Sequence, residues 1–142
     1  METMNTQESM HRFGLPPSKE SLSFIRAILQ AEADKEAQGK GHEREDDLAL
    51  LCCVQLFTIA QPDDILRIWR AKSAGFDLHC AIDVQLLCGA GLEKTKSYLR
   101  QSADPVARDA LSYIEECEIT GDFNEFSPSQ LADEYHEYFR IA

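Results

Sequence analysis

The sequence predicts an all-α protein of about seven helices, packed as a compact bundle or as a short, solenoid-like stack of α-hairpins. Three observations lead there. From Ser18 onward, apolar residues recur at intervals of three and four. No stretch keeps the period-two alternation of a half-buried strand. Helix start and stop signals follow one another at helical spacings, with proline, glycine, aspartate and serine at the junctions. The 142 residues amount to one domain. Residues 1–17 read as a flexible, polar lead-in closed by Pro16-Pro17, and residues 18–142 as the helical domain.

The first helix runs from about Ser18 to Gln38, with Leu22, Ile25, Ile28 and Leu29 on its apolar face, and stops at Gly39 and Gly41. The acidic run Glu43, Glu45, Asp46 and Asp47 opens the second, where carboxylates meet the positive end of the helix dipole. Its body, LALLCCVQLFTIA, is apolar nearly all round, which places it at the centre. Gln61-Pro62 breaks it. Pro62, Asp63 and Asp64 then open a third helix that carries Ile65, Ile68 and Trp69 to near Gly75. Asp77 is placed to cap a fourth, LHCAIDVQLLC, which Gly89-Ala90-Gly91 ends. A short fifth covers about Leu92 to Gln101. Asp104-Pro105 and Ser127-Pro128 each set a capping side chain before a proline at the first helical position. They open the sixth helix, which stops at Gly121, and the last, which reaches about Arg140.

An internal echo runs at an offset of 30 residues. Val54-Gln55-Leu56 returns as Val84-Gln85-Leu86, Ala60 as Ala90 and Arg70 as Arg100, five identities over positions 51–74 against 81–104. Each copy reads as a buried helix, a tight turn and a more polar helix, the unit of an α-solenoid. Two buried helices of similar composition would leave the same trace.

The balance of 14 basic against 25 acidic residues leaves a net charge of −11. Nucleic-acid phosphates and anionic membrane surfaces repel such a chain, whereas basic partners suit it. The longest apolar stretch, Leu48 to Ala60, is interrupted by Gln55 and Thr58 and is too short to cross a bilayer. The opening METMNTQESMHRFG lacks the basic and apolar regions of a signal peptide. Five cysteines without a CxxC fit a reduced, cytoplasmic protein. Cys52-Cys53 and His79-Cys80 are adjacent pairs, and helical neighbours diverge by about 100°, so neither pair can aim two ligands at one metal. Cys52, Cys53, Cys88 and Cys117 sit among apolar or acidic residues, settings that raise a thiol pKa. No P-loop, GxSxG or HExxH occurs. The expectation is a non-enzymatic protein without cofactor or metal.

Polar residues inside the two most apolar helices need partners. Gln55, Asp83 and Gln85 are therefore expected as a buried polar clamp that sets helix register, with Arg67, Arg70 or Arg100 as the cation for Asp83. An acid catalyst at Asp83 would call for a second carboxylate, and none is near in sequence.

Charge distribution is the clearest functional signal. Residues 109–142 hold nine acids against the single base Arg140, so that segment carries −8 and the first 108 residues only −3. On the sixth helix Val106, Ala110, Tyr113, Ile114 and Cys117 form the core stripe, with Glu115 and Glu116 outside it. On the last, Leu131, Tyr135, Tyr138 and Phe139 face inward, and Asp133, Glu134 and Glu137 outward. The turn Asp122-Phe123-Asn124-Glu125-Phe126 joins the two and sets aromatics among acids. Arg67, Arg70, Lys72, Lys94, Lys96 and Arg100 put positive charge on the third and fifth helices. A solvated acidic surface accounts for solubility. A docking face for a basic protein accounts for the clustering, since a neutralising partner gains electrostatic steering.

The stretches LCCVQLF, ILRIWRAKSAGFD, IDVQLLCGAGLEKTKSYL and GDFNEFSPSQLADEYHEYF resemble a family of small cytosolic helical proteins. The bacterial members of that family look like cognate immunity proteins of polymorphic-toxin or contact-dependent inhibition systems. The resemblance covers about residues 45–140 and brings no catalytic residue with it. It implies a non-enzymatic inhibitor that neutralises a toxin domain by stoichiometric occlusion. The expected contacts are Glu115, Glu116, Asp122, Glu125, Asp133, Glu134 and Glu137, with Phe123 and Phe126 as aromatic anchors. The alternative is a helical-repeat adaptor that takes an acidic peptide or protein between the third and fifth helices, on Arg67, Arg70, Lys72, Lys94, Lys96 and Trp69.

Overall fold

Eight helices follow one another in the computed structural model, which describes residues 4–140. They are α1 (Thr6–Phe13), α2 (Leu22–Ala37), α3 (Leu48–Ile59), α4 (Asp63–Lys72), α5 (Phe76–Ala81), α6 (Leu92–Gln101), α7 (Pro105–Ile119) and α8 (Pro128–Tyr138). No strand occurs among the described residues, so the all-α expectation holds. None of the helices is long and apolar enough to cross a membrane.

Helix α3 has no polar side to offer water, and every residue from Leu48 to Phe57 is buried. α1, α2, α4 and α8 pack on it. α2 lies along α3 and α4, α6 packs on α7, and α7 also meets α4. α1 and α8 both rest on α3. One continuous core results, from Phe13 and Leu15 at one end of the chain to Phe139 at the other.

Both cap-plus-proline signals work as read. The Asp104 carboxylate accepts the Val106 N–H at 2.9 Å ahead of α7, and the Ser127 hydroxyl accepts the Gln130 N–H at 3.3 Å ahead of α8. Gly89 is required for another reason. A Cβ there would lie 2.3 Å from the Phe57 carbonyl oxygen, so the turn after residue 88 can press against the end of α3 only without a side chain.

Residues 4–17, expected as a loose lead-in, hold α1 and a following turn packed on the core. Asn5 caps α1 by accepting the Glu8 N–H at 2.9 Å. Gly14, at φ 76, closes the helix with its N–H on the Met10 carbonyl. Ser9, Phe13, Leu15 and Pro17 are buried, so apolar burial holds this segment in place. Residues 1–3 of the expected lead-in lie outside the described residues.

The expected fourth helix is two pieces. α5 stops at Ala81, Ile82 and Asp83 are extended, and Val84–Leu87 forms a 3-10 turn. The break has a cause in α4. The buried Lys72 ammonium donates to the His79 carbonyl at 2.6 Å and to the Ile82 carbonyl, taking the carbonyls at the end of α5. Asp77 does not cap α5. Gly75 precedes the helix, and Glu36 of α2 accepts the Leu78 N–H at 2.9 Å. The second expected helix also begins later than the acidic run suggests. Asp47 sits in the left-handed region at φ 59, and α3 begins only at Leu48. The 30-residue echo therefore joins unlike pieces, an α-helix and a 3-10 turn, each followed by a polar helix.

Candidate functional site

Of the three residues expected in a buried polar clamp, only Gln55 is buried. Its Nε2 donates to the Gly14 carbonyl at 3.0 Å and to the Ser9 hydroxyl at 3.3 Å, tying α3 to α1. Its Oε1 has no partner among the described residues. Asp83 is exposed, a correction to the clamp reading, because the break after α5 turns it out of the core. Its carboxylate accepts the Tyr135 hydroxyl rather than an arginine. Gln85 is half-buried and donates to the Asp122 carbonyl at 2.8 Å. Asp83 and Gln85 thus anchor α8 and the turn before it.

The charged residues that do hold the core were not visible as such in the sequence. Asp64 is 2% exposed, and its carboxylate takes both Arg26 Nε and Nη2, at 2.8 and 2.9 Å, and Arg67 Nη1 at 3.0 Å. Glu32 is 1% exposed and receives Lys35 and the Glu45 N–H. Glu36 receives Arg44 as well as Leu78. These carboxylates of α2 and α4 fix the 40–47 loop and α5.

The cations expected to form a positive face are largely spent inside the molecule. Arg67 is on Asp64, and Arg70 is on Asp104 at 2.5 Å. Lys96 is on Glu118 at 2.7 Å, which raises its pKa. Arg100 is 3.9 Å from Glu115. Lys72 is buried on carbonyls, and desolvation lowers its pKa. Trp69 packs against Tyr113 with the rings tilted by 45° and their centroids 5.4 Å apart. Among the six, Lys94 alone has neither an ion pair nor a carbonyl partner within the described residues. A groove for an acidic peptide keeps little to bind with.

On the C-terminal side the acids behave differently. Glu115, Glu116, Asp122, Glu125, Asp133, Glu134 and Glu137 are all exposed. Glu115 faces Arg100, and Glu137 pairs with Arg140 of its own segment, at 3.1 Å. The other five have no cation among the described residues. α7 and α8 do not form a helix pair, because α8 lies on α3. The uncompensated charge is therefore concentrated on the turn and α8. Asp122, Glu125 and Glu134 line one shallow groove with Gln85 and Gln130. The other end of α8 reaches a second acidic edge. The Tyr138 hydroxyl donates to Asp47 at 2.7 Å, in a groove shared with Glu45 and Asp46. Neither Asp46 nor Asp47 was among the expected contacts, although the acidic run containing them was plain in the sequence.

Phe123 and Phe126 are not free anchors. They are half-buried, pack on the core and meet each other edge to face at 5.5 Å, which holds the turn together. Among the described residues, the large exposed apolar groups on this side are Ile119, 87% exposed at the end of α7, and Tyr138, 61% exposed on α8.

The thiols offer no nucleophile in the core. Burial pushes Cys52 and Cys88 up to about 12 and Cys53 well above its ordinary value. Cys117 is raised by burial and by its hydrogen bond with Asp122. Cys80 is the exposed one. No three His, Cys, Asp or Glu side chains converge as a metal would need among the described residues. Compared with known protein families, with functionally characterised proteins and with solved structures, the chain matches none.

Proposed function

We propose that this chain is a non-catalytic binding protein that captures a cationic protein surface on the turn 122–126 and α8. Its most specific form is an immunity protein that occludes a basic toxin domain in the cytoplasm. One observation carries the reading. Residues 109–142 hold nine acids against Arg140, and of these Glu116, Asp122, Glu125, Asp133 and Glu134 are exposed and without a cation among the described residues, whereas the buried or half-buried Glu36, Asp64, Asp104 and Glu118 are matched by Arg44, by Arg26 and Arg67, by Arg70 and by Lys96. Like charges crowded on one surface destabilise a free protein, and a basic partner relieves them. A toxin that must approach phosphates supplies such a surface. Ile119 and Tyr138 would add apolar contact at the edges of the acidic zone.

The test is genetic and biophysical. The gene immediately upstream should encode a large secreted protein with a toxic C-terminal domain. Co-expressing this chain with that domain should restore growth, and the Asp122→Lys/Glu134→Lys double variant should not, while keeping a wild-type circular dichroism spectrum. Association with the purified domain should slow at least about tenfold in the variant, with a flatter salt dependence. Unchanged protection by the double variant would place the contact elsewhere. An upstream gene of another kind would remove the immunity assignment.

A further inference from the structure

The internal echo has a spatial counterpart. A half-enclosed cavity of about 110 Å³ lies among the end of α3, α4, the turn after Leu87 and α6. It is lined by pairs of residues 30 positions apart. Leu56 with Leu86, Phe57 with Leu87 and Ala60 with Ala90 are the alike pairs, and they are apolar. Asp64 with Lys94, Ile65 with Thr95 and Ile68 with Tyr98 are the pairs that diverge. The two copies of the echo thus meet across one hollow, and the absent side chain of Gly89 lets them close on each other.

The divergence is chemically one-sided. The first copy contributes isoleucines and Asp64, whose carboxylate is already saturated by Arg26 and Arg67. The second contributes the exposed Lys94 ammonium, without a carboxylate among the described residues, and the Tyr98 hydroxyl, whose hydrogen bond to Asp63 is 3.5 Å long. Gln61, also in the lining, has its Oε1 occupied by Arg26, which leaves its amide N–H groups. The polar capacity still unused here is donor capacity. An apolar hollow with unused donors and one unpaired ammonium fits an apolar body with an anionic head. The size limits that body. A 150 Å³ apolar hole takes a benzene, so this one takes about four or five carbons.

We propose that this cavity binds a short branched-chain monocarboxylate, its alkyl group between the two copies of the echo and its carboxylate on Lys94. The site is separate from the acidic surface, and either reading can fail alone. Isovalerate is the probe and isovaleramide its uncharged counterpart. Titrated into the full chain and followed by amide resonances, isovalerate should give saturable shifts at Gly89, Ala90 and Lys94. A dissociation constant of about 1 mM suits a ligand this small. The amide should bind about tenfold more weakly, because it lacks the charge that Lys94 meets. Lys94→Gln should cost isovalerate about tenfold and leave isovaleramide unchanged, and Ala90→Phe, which fills the hollow, should abolish both. Asp122→Lys/Glu134→Lys should leave isovalerate binding intact. Shifts that rise linearly without saturation, equal affinity for acid and amide, or indifference to Lys94→Gln would each overturn the proposal.

Discussion

Cys52 and Cys88 show how burial becomes a stability term. Both thiols are raised from 9.0 to about 12, chiefly by desolvation. A group whose pKa is higher folded than unfolded contributes stability that is complete below the unfolded value and is lost as pH rises through the folded one. The window here is pH 9 to 12. Lys96, raised by its bond to Glu118, and Tyr135, raised by burial and Asp83, act in the same direction above pH 10. Lys72 opposes them, because its lowered pKa makes the folded state gain as the ammonium loses its proton. Cys52, Cys53 and Cys88 act together against the single Lys72, so the urea midpoint should fall steadily from pH 9 to 12. Cys52→Ala should lower the midpoint at pH 7, by about 1–2 kcal/mol for the cavity it leaves, and flatten the alkaline fall. Thiol burial was legible in the sequence, since four of the five cysteines sit in apolar or core-stripe positions. The buried ion pairs were not. Asp64 depends on Arg26, 38 residues away, and the Leu78 N–H on Glu36, 42 away; no local pattern announces such partners.

Helix α8 is the least anchored element. None of its residues from Pro128 to Tyr138 is buried, and its hold rests on half-buried Leu131, Ala132 and Tyr135, on Phe139 just beyond it, and on two tyrosine–carboxylate bonds. Tyr135→Phe should cost about 1–2 kcal/mol, because Tyr135 is half-buried and its acceptor is charged; Tyr138→Phe, in solvent, should cost well under 1. Hydrogen exchange should show α8 opening before the core in wild type and faster still in Tyr135→Phe, with α3 amides unchanged. Exchange of α8 and α3 at the same rate would show that α8 belongs to the global unit. Element boundaries were legible wherever a side chain caps its own helix, as at Asp104 and Ser127. They failed where another helix supplies the group. Lys72 of α4 ends α5, and Glu36 of α2 starts it, so neither boundary is written in the α5 sequence. α1 is a different case. Asn5 and Glu8 stand at capping-box spacing and Gly14 at a stop position, signals that were present but outweighed by polar composition and Pro16-Pro17.

At the scale of the molecule, cations and acids are sorted. Most basic side chains on α2, α4 and α6 close internal pairs, while Asp122 and Glu125 of the turn and Asp133 and Glu134 of α8 are exposed without a cation among the described residues. The sequence showed the surplus, −8 in the last 34 residues. It could not show that Lys96 and Arg100 would offset Glu118 and Glu115, which moves the charged zone off α7 and toward Asp47. Self-repulsion of that zone is a property of the free protein and needs no partner to be measured. The Debye length shrinks from about 30 Å at 0.01 M salt to about 10 Å at 0.1 M. The melting temperature should therefore rise between these concentrations by a few degrees, about what 0.5–1 kcal/mol gives a domain of this length. Asp133→Asn/Glu134→Gln should raise the low-salt value and flatten the dependence. Lys94→Gln, which removes a cation and leaves the acids in place, should not flatten it. A partner that binds this zone would trade the same repulsion for association rate, so the double variant should gain stability and lose capture together. If it gained stability while capturing its partner at the wild-type rate in low salt, the crowding would be a property of solubility alone.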